Sequence, residues 1–285
     1  MLRIATRGSA LARRQAARVV ERLGGPDHEL VIITTTGDAR TDVPIHELGG
    51  QGVFVKEVQH AVLDGRADLA VHSAKDLPGV TVDGLVIGAF PERADVRDAL
   101  VGARLADLEP GATVATGAVR RRAQLAALRP DLVFVELRGN IDTRLAKAAD
   151  VGAVVVAAAA LERLGHMHAI TEYLEPDVML PQVGQGALAV ECRIDDRRAQ
   201  HLLATIDDPV VRRTVGAERS FLRALGGGCE LPVGALATIT PDGRIDLEVL
   251  LADAGGVRRA RVLGPHPDAL GRAALAALET TRTAR

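Results

Sequence analysis

The sequence has no tryptophan, one tyrosine and four phenylalanines in 285 residues, and its formal charge is only −2. A nucleic-acid binder needs a basic surface and rings on which bases stack, so that class is set aside. Cysteine is equally scarce, with Cys192 and Cys229 the two present. The opening MLRIATRGS has no extended apolar region, so no secretory leader is expected and the thiols are read as free rather than bridged. No CxxC or HxxxH spacing occurs, which leaves no expectation of a metal site. The longest apolar run, AVVVAAAAL from Ala153 to Leu161, falls far short of the roughly eighteen residues a membrane span needs. A GxxxxGK(S/T) loop is absent, as is a GxGxxG after a strand, which argues against nucleotides. Lysine occurs only at Lys56, Lys75 and Lys147, so almost all of the 35 basic residues are arginine. A cytoplasmic enzyme with neither a nucleic-acid nor a membrane partner is the expectation that remains.

What is present is an ordinary globular balance, 47% hydrophobic and 25% charged, in a chain long enough for two or three cores. LRIAT and ELVIITT read as buried strands, with SALARRQAARVVERLG between them as an amphipathic helix capped by Ser9. A glycine-rich ELGGQG leads into a helix over VFVKEVQHAVLDG, and ADLAVHSAKDLP is a strand running into a loop. FPERADVRDALVG is a crossing into a second unit with the same logic: strand TVATG, helix AVRRRAQLAALRP, strand LVFVELRG, helix NIDTRLAKAA, strand GAVVVAAAAL. LPQVGQGALAVECR is expected to return to the first sheet. Beyond about Asp208 one helix, three strands and a last helix from about Pro267 read as a small α+β domain.

Three groups of residues carry possible chemistry. Asp76, in HSAKD, follows a strand at the carboxyl end where α/β sheets bind ligands, and a carboxylate there can move protons or stabilise a cation. His72 is read as a packing or hydrogen-bonding residue rather than a metal ligand. Arg7, Arg120, Arg121, Arg138 and Arg144 stand at strand ends and helix starts, where converging guanidiniums call for a ligand with several carboxylates or phosphates. Arg13, Arg14 and Arg122 are read as solvated. Cys229, in GGGCELPVG, is flanked by glycines that open the backbone around it, which suits a nucleophile, a redox centre or a covalent attachment site. Cys192, in an apolar strand pattern, is read as buried and inert.

Over essentially its whole length the chain resembles the hydroxymethylbilane synthase (porphobilinogen deaminase) family. The segments RIATRGSALA, GGQGVFVKE, DLAVHSAKDLP, RRRAQL, LRGNIDTRL, LERLG, LPQVGQGALAVECR, AERSFL and GGGCELPVGA carry the resemblance, in the family's order and spacing. It implies an α/β fold of three domains, the first two resembling the lobes of type II periplasmic binding proteins and the third a small α+β domain. The implied boundaries are 1–91 with 187–206, 95–183 and 209–285, with hinges near Phe90 to Asp95 and Pro181 to Gln185.

The resemblance also implies an activity. A dipyrromethane cofactor is held by a thioether to Cys229, four porphobilinogens are added to it with loss of ammonia, and hydroxymethylbilane is released for tetrapyrrole (heme) biosynthesis by a monomeric cytoplasmic transferase. Asp76 matches the catalytic aspartate. Cofactor contacts are implied for Asp76, Lys75, Ser73 and Thr116, and for Arg120, Arg121, Arg138, Arg144 and Asn140. Substrate contacts are implied for Arg7, Ser9, Gln15, Arg138, Arg144 and Arg163. Each pyrrole brings an acetate and a propionate, which accounts for converging arginines. Two departures stand out: Gln51 replaces a frequent lysine, and Ala115–Ala118 reads ATGA where relatives often have GTSS, so Gly117 and Ala118 supply no hydroxyl. The competing readings are a non-catalytic two-lobed binding protein for a small polyanion, which leaves Cys229 unexplained, and a degenerate paralogue. A cysteine hydrolase lacks an evident base.

Overall fold

The computed structural model describes residues 1–39, 52–227 and 231–283. Its first stretch runs β1 (Leu2–Arg7), α1 (Ala10–Arg22), β2 (His28–Ile33), the one-turn α2 (Thr36–Ala39), α3 (Lys56–Leu63), β3 (Leu69–Ser73) and β4 (Leu85–Ala89). After a crossing come β5 (Asp98–Val101), β6 (Thr113–Ala115), α4 (Val119–Leu128), β7 (Val133–Val135), α5 (Ile141–Lys147), β8 (Ala153–Ala157), α6 (Ala158–Leu164) and β9 (Glu172–Leu174). A second crossing leads to β10 (Leu188–Arg193) and α7 (Arg197–Ala204). The chain ends with α8 (Pro209–Leu225), β11 (Val233–Ile239), β12 (Ile245–Asp253), β13 (Gly256–Gly264) and α9 (Pro267–Thr283).

Local sequence accounts for the element ends. Ser9 caps α1 by accepting from the Ala12 amide at 3.2 Å. Asp208 accepts from the Val210 and Val211 amides ahead of Pro209, and Gly226 closes α8 in the left-handed region, the arrangement expected of a capped helix. The AVVVAAAAL run divides where a single strand was expected. Val154, Val155 and Val156 hold β8, whereas the alanines from Ala158 onward begin α6, because β-branched residues favour strands and alanine favours helix.

Among the described residues the strands form three sheets. The first is ordered β2-β1-β3-β10-β4 and the second β7-β6-β8-β5-β9. In each, three strands run parallel and the fourth position is taken by an antiparallel strand that has just arrived from a crossing: β10 in the first, β5 in the second. The two lobes are thus built to one plan, with β1 matching β6 and β3 matching β8. Both faces of each sheet are covered. Ile4, Leu69 and Val190 lie in a core on one side of the first sheet, and Ala5, Val58 and Ala70 in a core on the other. Val154 with Leu161, and Leu100 with Val155, divide the second sheet in the same way. Strands buried on two faces carry continuous apolar runs, as LAVH and AVVVA do. The third sheet, β11-β12-β13, is antiparallel and packs on α8 and α9 around the fully buried Phe221, giving the small α+β domain.

The crossings lie against each other. The Ala94 amide donates to Gly186 O at 3.0 Å and the Leu188 amide to Glu92 O at 3.2 Å. Gly186 has φ 84°, and a Cβ on it would come within 2.4 Å of Ala94 O. Only glycine allows this approach.

Candidate functional site

The strand ends of both lobes open on one cleft of about 610 Å3, closed on a further side by Leu222, Leu231 and Val233 of the third domain. From the first lobe, β1 delivers Arg7 and the capping Ser9 to its wall. One turn into α1, the buried Gln15 donates to the Ser73 hydroxyl at 2.8 Å, tying α1 to the end of β3. There the chain makes a tight turn over Ala74–Asp76 that places Lys75 and Asp76 on the cleft. Burial and the positive charges of Arg121 and Arg120 pull the Lys75 ammonium down to about 8, although Asp76 and Asp98 oppose them. Lys75 Nζ reaches Gln185 Oε1 at 3.4 Å.

The second lobe supplies the facing wall. Asn140 caps α5, accepting from the amide and hydroxyl of Thr143 at 2.9 Å each. Arg138 and Arg144 lie on either side of it, and Arg144 Nε donates to Gly139 O at 2.9 Å. Burial, followed by the charges of Arg121 and Arg138, lowers the Arg144 guanidinium to about 10, with Asp76 acting in the other direction. Burial and neighbouring positive charge together disfavour the charged forms of Lys75 and Arg144. A ligand with several carboxylates relieves that.

Several arginines assigned to the site are committed to carboxylates of the protein itself. Arg120 and Arg121, at the start of α4, share Asp98: Arg120 Nη2 donates to Oδ2 at 2.7 Å and Arg121 donates to Oδ1 through Nε at 3.0 Å and Nη2 at 2.7 Å. Arg120 Nη1 donates to Leu180 O and Arg121 Nη1 to Val155 O. Gln185 adds a 2.9 Å bond to Asp98 Oδ1. Asp98 is fully buried; burial alone would raise its carboxyl, but the two guanidiniums outweigh this and hold it well below the usual carboxylate range. Arg120 and Arg121 line the cleft while being committed to this buried triad.

Arg7 pairs with Asp38 through Nε (3.0 Å) and Nη2, and its guanidinium lies 4.2 Å over the Phe54 ring. Arg163 is buried in α6 away from the cleft wall, donating to Gly186 O at 2.6 Å and standing 3.6 Å from Glu92. Glu92, in the first crossing, also takes Arg18 at 2.7 and 2.8 Å and Arg22 at 3.1 and 3.2 Å. Thr116 is buried, and its hydroxyl accepts from the Ala118 amide at 3.3 Å, so in the ATGA segment the one hydroxyl serves the local turn. Asp38, Phe54, Glu92, Asp98 and Gln185 are the site residues that sequence reasoning missed.

His72 is buried, with Nε2 3.1 Å from Glu191 Oε2, a buried polar contact. Arg13, Arg14 and Arg122 are exposed. Cys192 is buried in β10, where burial pushes its thiol up to about 11. Cys229 and Gln51 lie outside the described residues.

Two α/β lobes of one plan, closing a cationic cleft against a third domain, form a site suited to an anionic ligand of small-molecule size. Residues 2–201 match the family described as porphobilinogen deaminase, dipyromethane cofactor binding domain, and residues 212–279 match porphobilinogen deaminase, C-terminal domain. The chain is 48% identical to the porphobilinogen deaminase of Acidothermus cellulolyticus, over 95% of this chain and 86% of that one. It is 48% identical to that of Roseiflexus sp., over 91% and 87%, and 44% identical to that of Brevibacillus brevis, over 94% and 91%. The chain belongs to the porphobilinogen deaminase family.

Proposed function

We propose that this chain joins four porphobilinogens, with loss of ammonia, onto a covalently held dipyrromethane and releases hydroxymethylbilane for tetrapyrrole biosynthesis. The observation that carries this reading is the cleft itself, where Asp76 stands among Lys75, Arg138 and Arg144 within one enclosed space. The donor set fits a carboxylate-bearing dipyrromethane: burial first, and then the positive charge of Arg121, hold Arg144 and Lys75 below their ordinary values, and an anionic group beside them would favour their charged forms. When bound, that group supplies the anchored end at which the product grows.

In this reading Lys75, Arg138, Arg144, Ser73 and Asn140 bind and orient carboxylates of the cofactor and the growing chain. Arg7, Ser9 and Gln15 receive those of the incoming substrate. Loss of ammonia leaves positive charge on the substrate's ring; the Asp76 carboxylate stabilises that charge and moves the ring protons. Arg120, Arg121 and Arg163 support the wall through Asp98 and Glu92. The burial of Cys192 in β10 supports Cys229 as the residue that carries the thioether. We read the domains as 1–91 with 187–206, 95–183 and 209–285, and the enzyme as a cytoplasmic monomer.

Intact mass of the purified chain and its Cys229→Ser variant, before and after porphobilinogen, tests the proposal. The wild type is expected to exceed its sequence mass by two pyrrole units and to gain single-unit steps with substrate, while the variant does neither. A wild type at bare sequence mass that takes up neither porphobilinogen nor preformed hydroxymethylbilane would overturn it.

A further inference from the structure

Arg7 reaches the cleft already holding a carboxylate. Asp38 takes the guanidinium edge through Nε and Nη2, and the Phe54 ring covers its face at 4.2 Å. A ligand carboxylate seeking a two-pronged grip through Nε and Nη2 therefore finds that edge taken. Asp38 is not stranded if it lets go, because the Thr35 hydroxyl donates to Oδ2 at 2.8 Å and the Thr35 amide lies 3.4 Å from the same oxygen. Both partners are reached by solvent, with side chains 25% and 27% exposed, whereas Arg121 and Asp98 are 7% and 0% exposed. The Arg7 pair can open within the cleft and the Arg121 pair cannot.

We infer that Asp38 is an exchangeable internal counterion: it occupies on Arg7 the place that a carboxylate of the incoming substrate takes, and so sets how tightly each substrate is held and how readily it moves on. This deepens the reading above and rests on it for the identity of the substrate. Exchange of one carboxylate for another keeps the Arg7 guanidinium paired with one carboxylate before and after each addition. A bare Arg7 would instead grip every arriving acid and release it slowly.

The test is the KM for porphobilinogen of Asp38→Asn, which removes the charge but can still accept from Thr35, with Asp38→Ser as a second variant. Both are expected to lower KM about fivefold, the scale of a partly exposed ion pair, without raising kcat. In an Arg7→Gln background the same changes are expected to leave KM unmoved. A KM that rises or stays level when Asp38 alone is changed would overturn the inference, since Asp38 would then only orient Arg7. If the wild type adds no porphobilinogen, the substrate assignment has failed, and the exchange is read by calorimetry with glutarate as the probe acid. Tighter glutarate binding to Asp38→Asn than to wild type supports the exchange, and equal or weaker binding overturns it.

Discussion

Arg7 and the Arg120–Arg121 pair occupy corresponding places in the two lobes. Arg7 ends β1 before α1, and the pair opens α4 just beyond β6. Each meets an aspartate, yet the first pair is reached by solvent and the second is sealed with Asp98 fully buried. Residue type and topological position are therefore shared while the roles diverge. The partner's burial decides whether an arginine binds ligands or ties the fold together.

The largest expected effect of that contrast falls on stability. Asp98→Ala strands two buried guanidiniums and is expected to cost about 3–5 kcal/mol, read by denaturant unfolding, whereas Asp38→Asn should stay within about 1 kcal/mol. If the two cost the same, the distinction collapses. The pH dependence agrees in sign. Asp98 is held below its unfolded value, so its contribution is present above pH ~4 and is lost as the pH falls further; acid unfolding of Asp98→Asn should lose that part of its slope.

Next comes the hub at the crossings. Glu92→Gln removes the charge shared by Arg18, Arg22 and Arg163 and is expected to cost about 2 kcal/mol, less than Asp98 because Arg18 and Arg22 are partly exposed. Activity sharpens the comparison from the other side. Arg7→Gln should depress porphobilinogen turnover about tenfold or more with little change in Tm, while Arg121→Gln should lower Tm strongly.

The smallest signal is a proton. Lys75, at about 8, is partly deprotonated at pH 8.5, and a bound carboxylate raises its affinity for protons. Binding of hydroxymethylbilane to the Cys229→Ser protein at that pH should take up a fraction of a proton. Calorimetry in buffers of different ionisation enthalpy reads this, and the uptake should vanish in Lys75→Met.

The alternation of apolar runs with arginine-bearing helices made the two-lobed plan legible in the sequence, and Ser9, Asp76 and Arg144 could be placed from their positions after strands or at helix starts. The short β4 and β9 were not legible: LVIGA contains a glycine and EYL is three residues long, too little for a periodic signal. The counterions were missed for a different reason. Asp38 lies 31 residues from Arg7, and Asp98 lies 22 from Arg120, so only tertiary structure brings them together. One signal was available for Asp98, as an acid at the head of the otherwise apolar DALV strand. A charge in such a place implies a buried partner.

The strand that returns through the second crossing also governs the order in which the protein can be made. All the strands of the second sheet lie between Asp98 and Leu174, so it can close as soon as that stretch has left the ribosome. The first sheet must wait, because β10, ending at Arg193, sits between β3 and β4 and is the only strand that joins them among the described residues. The lobe synthesised first is thus completed second, and until residue 193 emerges β4 has no neighbour with which to pair.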